Sequence, residues 1–167
     1  GITLLYLPLE EWLFFLVVPY ASIFIHYVVL AYFPETNISE KVTKRISIII
    51  ISLIIIVIAL NPGRIYSLTY FSLLIIVILI SMFLKTNLLG RFYFSFLIIL
   101  LPFMIVNGIL TGSFIESEVV WYNSNEITGL RIFTIPIEDF AYGFSLIMIN
   151  LLLMNFIQER FLKNSMK

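Results

Sequence analysis

Two pairs of neighbouring acids stand out in a chain that is only 12% charged: Glu10 with Glu11, and Glu138 with Asp139. Each pair begins two residues after a proline, Pro8 and Pro136, at the head of a long apolar run. Adjacent carboxyls beside apolar surface suit acid–base chemistry, because one group can give a proton while the other stays charged or takes one. The plainer reading is helix-start chemistry. Proline fits the first helical position, and carboxylates favour the positive end of the helix dipole. A cap needs one acid, however, and both places keep two.

The two places belong to a longer correspondence. Segment 1–12, GITLLYLPLEEW, lines up with segment 129–140, GLRIFTIPIEDF, at a spacing of 128 residues. Three of the twelve positions are identical and six more are conservative, among them Glu11 with Asp139 and Trp12 with Phe140. Ser22 and Asn150 extend the match: each lies eleven residues, three helical turns, beyond its acid and so on the same face. The result is a polar stripe running about 16 Å down each helix, which favours Glu11 and Asp139 as the inward-facing acids. Glu10 and Glu138 share faces with Phe14 and Tyr142 instead.

The elements that must position these groups are transmembrane helices. Of 167 residues, 61% are hydrophobic, and the mean hydropathy is +1.08. Charge-free stretches at 12–34, 46–63, 65–84, 92–115 and 140–158 are each long enough for a helix to cross a bilayer core of about 30 Å. A signal peptide explains at most one of them. The expected fold is an all-α polytopic transmembrane bundle of five helices with a parallel internal repeat.

Helix 1 is expected over 8–32 and helix 2 over 46–60, ending at the turn Asn61-Pro62-Gly63. Helix 3 is expected over 66–84, helix 4 over 92–110 with a kink at Pro102, and helix 5 from Pro136 to about Ile157. Eight basic residues fall on the loops after helices 1 and 3 and on the tail, against Arg64 and Arg131 on the other side. That asymmetry places the C-terminus in the cytoplasm and the acidic helix heads outside.

Zero net charge argues against a nucleic-acid partner. With no cysteine and one histidine, the chain offers neither a thiolate nor a histidine-based metal site, and no cofactor is expected. His26, deep in helix 1, is expected to be a hydrogen-bonded structural residue. Trp12, Phe14, Phe140, Tyr142, Trp121 and Tyr122 cluster near the acids in sequence. They form either an aromatic belt at the membrane interface or a lining that stabilises a cation.

Segments PLEEWLFF (8–15) and VVPY (17–20) resemble the first signature of the small membrane lycopene cyclases. These are the heterodimeric or fused type of bacteria and archaea, also found as the cyclase domain of fungal bifunctional carotenoid enzymes. Trp121-Tyr-Asn123, Gly129 and IPIEDFAYG (135–143) resemble the second signature. The family would place a counterpart of Trp121-x-Asn123 just before Gly1, so the chain is expected to be an N-terminally incomplete form. On that reading 1–33 is the end of a first cyclase repeat and 34–167 a second.

The resemblance implies cyclisation of the open ψ ends of lycopene to β-ionone rings within the bilayer. An acid protonates an end double bond, a neighbouring alkene attacks the tertiary cation, and a base removes a proton. No net electrons move, which agrees with the lack of a dinucleotide fingerprint. Glu10, Glu11, Glu138 and Asp139 would supply acid and base. Trp12, Phe14, Trp121, Phe140 and Tyr142 would shape the pocket, and Asn123 and Arg131 would orient the carboxyls. The resemblance further points to the bacterial inner membrane and leaves a homodimer or a heterodimer open. Two competing readings are a small transporter, which also uses intramembrane acids and repeats, and a non-catalytic subunit of a heterodimeric cyclase.

Overall fold

The computed structural model describes residues 3–5, 7–36 and 38–165, without the side chains at 4, 7, 10, 11 and 162–165. Glu10 and Glu11, two of the four expected acids, therefore have side chains outside the described residues. Among the described residues five helices are long and apolar enough to cross a membrane. They are α1 (Leu9–Tyr32), α2 (Glu40–Leu60), α3 (Ile65–Leu84), α4 (Thr86–Leu110) and α5 (Ile137–Ser165). The chain is an integral membrane protein.

Propensity alone does not explain these helices. Residues 48–58 of α2 are mostly isoleucine and valine, β-branched residues that lower helix propensity. In hydrocarbon every backbone N–H and C=O must find its partner within the segment, and the helix does that. Buried hydroxyls follow the same rule: Ser47 and Ser81 donate to the carbonyls of Thr43 and Val77 one turn earlier, at 2.9 and 2.7 Å.

Two helices start earlier than their charge-free runs. α2 begins at Glu40 and α4 at Thr86, each six residues before the apolar stretch. Charged residues at a membrane interface remain solvated, so they end the apolar span without ending the helix. Lys44 reaches back to Glu40 at 2.6 Å across one such turn. Asn61-Pro62-Gly63 reverses the chain as expected, with Gly63 at φ 85°, a conformation that glycine adopts without steric cost.

Two short antiparallel hairpins precede α1 and α5. β1 (Thr3–Leu4) pairs with β2 (Leu7–Pro8), and β3 (Arg131–Ile132) pairs with β4 (Ile135–Pro136). Among the described residues the longest stretch outside helices and hairpins is 111–130, between α4 and β3.

α3 and α5 form the most extensive helix pair and begin at the same end of the bundle. Phe71, Leu74, Val77 and Ile78 of α3 meet Phe144, Ile147, Met148 and Leu151 of α5, and Leu89, Phe92 and Ile99 of α4 complete the core. α1 lies against α4 and α5, with Pro19, Ser22, His26 and Val29 on its buried face. At the far end, Lys85 pairs with Glu159 and ties α3 to α5.

Candidate active site

α3 starts immediately after the Gly63 turn, so Tyr66 and Ser67 lie in its first turn. α5 carries Glu138 and Asp139 in its own first turn. Because the two helices run side by side from one end, neighbours on α3 serve neighbours on α5. Ser67 donates its hydroxyl to Glu138 Oε1 at 2.5 Å, and Tyr66 donates to Asp139 Oδ1 at 3.4 Å.

The polar segment between α4 and α5 folds back over this junction and adds a second donor to each acid. Tyr122 donates to Asp139 Oδ2 at 2.6 Å, and the Thr128 amide donates to Glu138 Oε1 at 2.7 Å. The segment is pinned from both sides. Arg64 donates to the Ser124 carbonyl, the Ser67 amide donates to the Glu126 carbonyl at 3.2 Å, and the Ile137 amide donates to the Leu130 carbonyl at 3.1 Å. Glu138 is 0% exposed and Asp139 5%. Among the described residues, Glu138 Oε2 is one of two buried side-chain polar atoms with no hydrogen-bond partner; His26 Nε2 is the other.

Aromatic rings form a continuous chain along one side of Asp139. Tyr142 meets Tyr70 at 5.2 Å between centroids, Tyr70 meets Tyr66 at 4.5 Å, and Tyr66 meets Tyr122 at 5.7 Å, all edge to face. The Arg131 guanidinium lies 5.8 Å from the Tyr122 ring centre. Burial pushes the Tyr122 phenol above its ordinary value, and the bond to Asp139 pushes it the same way. Tyr122 thus remains a hydrogen-bond donor at neutral pH. Beyond Tyr66 and Tyr122 lies a cleft of about 270 Å³, lined also by Val120, Trp121, Asn123, Glu126 and Ile127.

The expected residues distribute unevenly around this centre. Glu138, Asp139 and Tyr142 come together, and Phe140 packs beside them on Phe103 at 5.2 Å. Trp121 stands at the cleft rim, 73% exposed. The hydrogen bonds of Asn123 and Arg131 run to neighbours rather than to the acids: Asn123 to Glu126 at 3.1 Å and Arg131 to the Thr134 carbonyl at 2.5 Å. Trp12 and Phe14 sit on the first turns of α1, the former exposed and the latter half-buried.

The polar stripe is partly realised. Ser22 is buried, whereas Asn150 donates to its own helix, to the Leu146 carbonyl at 2.8 Å. His26 bonds Ser95 of α4 at 2.5 Å and packs edge-on to Phe92. No group of three His, Asp or Glu side chains among the described residues could hold a metal ion.

Tyr66, Ser67, Tyr70 and Thr128 were not singled out by their sequence context. Their visible signal is a pair of tyrosines one turn apart and a serine, all opening an apolar run that starts on the same side of the membrane as helix 5.

No curated protein and no solved structure matches the chain. The family model described as lycopene cyclase matches residues 1–30 and 63–157, leaving out α2 but taking in Tyr66, Ser67, Tyr122, Thr128, Glu138 and Asp139. The match covers most of the sequence, and on it the chain belongs to the lycopene cyclase family.

Proposed function

We propose that this membrane protein is a lycopene β-cyclase, converting the open ψ ends of its substrate to β-ionone rings by acid–base isomerisation. The observation that carries the reading is the pair of adjacent buried carboxyls at the head of α5, each supplied with two donors and flanked by a chain of rings. A proton added to the end alkene makes a tertiary cation. The neighbouring alkene closes the ring and passes the positive charge to a second carbon. Loss of a proton from the ring carbon beside it leaves the ring alkene, so reactant and product are isomers.

Each step has a counterpart in the site. A carboxyl shielded from water can meet an alkene that stays within the lipid. The faces of Tyr70, Tyr142 and Phe140 offer negative charge to a carbocation without offering it a nucleophile. Family membership supplies the substrate class, a lipophilic carotenoid, and a helix bundle open to lipid suits a hydrocarbon dissolved in the bilayer.

The same reading extends to the other acidic pair. Glu10 and Glu11 would head the corresponding helix and contribute acid–base chemistry in a lesser role, with 1–33 closing a first repeat and 34–167 forming a second. Its support is that the two hairpins share one register 128 residues apart: Thr3 faces Pro8 as Arg131 faces Pro136. The excess of basic residues at the opposite end of the helices favours acidic heads outside and a cytoplasmic C-terminus in the bacterial inner membrane.

The test is pigment chromatography in lycopene-accumulating bacterial cells expressing the gene, with the protein level in membranes measured alongside. β-Ringed product from wild type, lost in well-expressed Glu138→Gln and Asp139→Asn, is the expected result. Unchanged lycopene beside well-expressed wild type sinks the β-cyclase reading.

A further inference from the structure

The two acids at the head of α5 differ in how their oxygens are served. Both donors that reach Glu138, the Ser67 hydroxyl and the Thr128 amide, converge on Oε1 at 2.5 and 2.7 Å. Its Oε2 is buried and has no partner. Asp139 instead receives one phenol on each oxygen, Tyr66 on Oδ1 and Tyr122 on Oδ2.

We infer that Glu138 is the proton donor, acting through Oε2, and that Asp139 is the carboxylate that faces the cation and takes the ring proton. The inference rests on the cyclase reading and divides the labour within it.

An ionised carboxylate spreads its charge over two equivalent oxygens that only accept, whereas a carboxylic acid has one carbonyl oxygen that accepts and one hydroxyl that donates. Two donors on Oε1 fill the two lone pairs of a carbonyl. An ionised Glu138 would leave half its charge buried without a donor, and an unsatisfied charged group costs more than an unsatisfied neutral one. A proton on Oε2 removes that charge and leaves an O–H that no acceptor among the described residues holds.

Asp139 has the opposite pattern. Each Asp139 oxygen accepts from one phenol, the two-sided pattern that suits a carboxylate, which accepts on both oxygens. Arg131, set 5.8 Å from the Tyr122 ring centre, adds positive charge on that side. Two adjacent carboxyls also resist being ionised together.

The balance closes without a co-reactant. The proton leaves Glu138 Oε2 for the less substituted carbon of the end alkene, the tertiary cation forms one carbon–carbon bond with the next alkene, and Asp139 takes one proton from the ring carbon beside the new cation. One proton then passes from Asp139 back to Glu138 and resets the pair for the next ring.

Infrared difference spectroscopy of the purified, folded protein in lipid nanodiscs tests the assignment, because the carbonyl stretch of a neutral carboxyl is read without turnover. Wild type minus Glu138→Gln is expected to show that band, and wild type minus Asp139→Asn is expected to lack it. Ser67→Ala, which removes a donor from the carbonyl oxygen, is expected to move the band to higher frequency, while Tyr122→Phe leaves it in place. A band that disappears in Asp139→Asn, or survives unchanged in both Glu138→Gln and Ser67→Ala, overturns the assignment. Should Glu138→Gln fail to fold, the Asp139→Asn and Ser67→Ala spectra still decide it. Lycopene conversion by the same wild-type preparation separates the two claims: turnover with the band on Asp139 defeats the division of labour alone, and a band on Glu138 without turnover defeats the cyclase reading.

Discussion

The segments leading into α1 and α5 take the same local form. Leu4 faces Leu7 as Ile132 faces Ile135, and Leu5 and Phe133 both adopt a positive φ at the turn, 51° and 55°. Past the hairpins the surroundings diverge. Leu13, Leu16, Val17 and Tyr20 on α1 are exposed, while the residues 128 positions later on α5, Ala141, Phe144, Ser145 and Met148, are buried. α3 and the segment folding back from α4 lie on α5; α1 packs on its neighbours through Pro19, Ser22, His26 and Val29. Like sequence thus produces a like hairpin and helix head, but tertiary cover decides what the acids can do. A carboxyl pair at a helix start is a cap until water is excluded and particular donors are brought to particular oxygens.

The largest expected effect puts that contrast to a direct trial. General acid–base groups typically contribute roughly 10²–10⁴-fold to a rate, so Glu138→Gln should lower ring formation by about that factor. The double replacement Glu10→Gln with Glu11→Gln is expected to cost about tenfold or less, since the contacts that enclose the α5 pair come from α3 and from the segment before α5. Lycopene conversion per unit of membrane-embedded protein measures both. Equal losses at the two heads would break the contrast and point to a working site at α1 as well.

A smaller effect sharpens the account of the cover itself. Tyr66 and Tyr122 each give Asp139 one hydrogen bond, at 3.4 and 2.6 Å. Bonds to charged groups are worth about 1.5–3 kcal/mol, so Tyr122→Phe should slow conversion by roughly ten- to a hundredfold. Tyr66→Phe, removing the longer bond, should cost less. Rates measured at matched expression would show the order; the reverse order would mean that Asp139 is held chiefly from α3 and not from the folded-back segment.

How far this arrangement could be read without coordinates depends on whether a property is local. Five helices follow from charge-free runs because hydrocarbon forces helix on any long apolar segment. Starts were less legible: Glu40–Arg45 and Thr86–Arg91 are helical although charged, since a helix outlasts its apolar span. The hairpins have strands of two residues, too short for any alternation to register. Glu138 and Asp139 were legible through the Pro-x-Glu-acid motif. Ser67 and Tyr66 were not, because only the pairing of α3 with α5 makes them partners of the acids. Helical phase alone favours Asp139 over Glu138, whereas the Thr128 amide and Ser67 enclose Glu138 as fully. Phase says which face a residue occupies and nothing of what folds over it.

The smallest effect compares two positions 128 residues apart that differ in packing, Phe15 and Gly143. Gly143 is buried where α5 meets α4, and a Cβ added there would stand 3.0 Å from Phe103 Cε2. That ring also packs on Phe140 at 5.2 Å, so tipping away would disturb a second contact. Overpacking typically costs about 1–3 kcal/mol, and alanine recovers up to about 1 kcal/mol of helix propensity relative to glycine. Gly143→Ala should therefore destabilise the protein by about 1 kcal/mol. Phe15 is 46% exposed on the outer side of α1, where its ring meets surroundings as apolar as itself, and Phe15→Ala should fall within about 0.5 kcal/mol of wild type. Thermal midpoints of the two variants in the same detergent give the comparison. A larger drop for Phe15→Ala than for Gly143→Ala would mean that the outer face of α1 is packed in the working protein, and the two helix heads would then differ less than their exposure indicates.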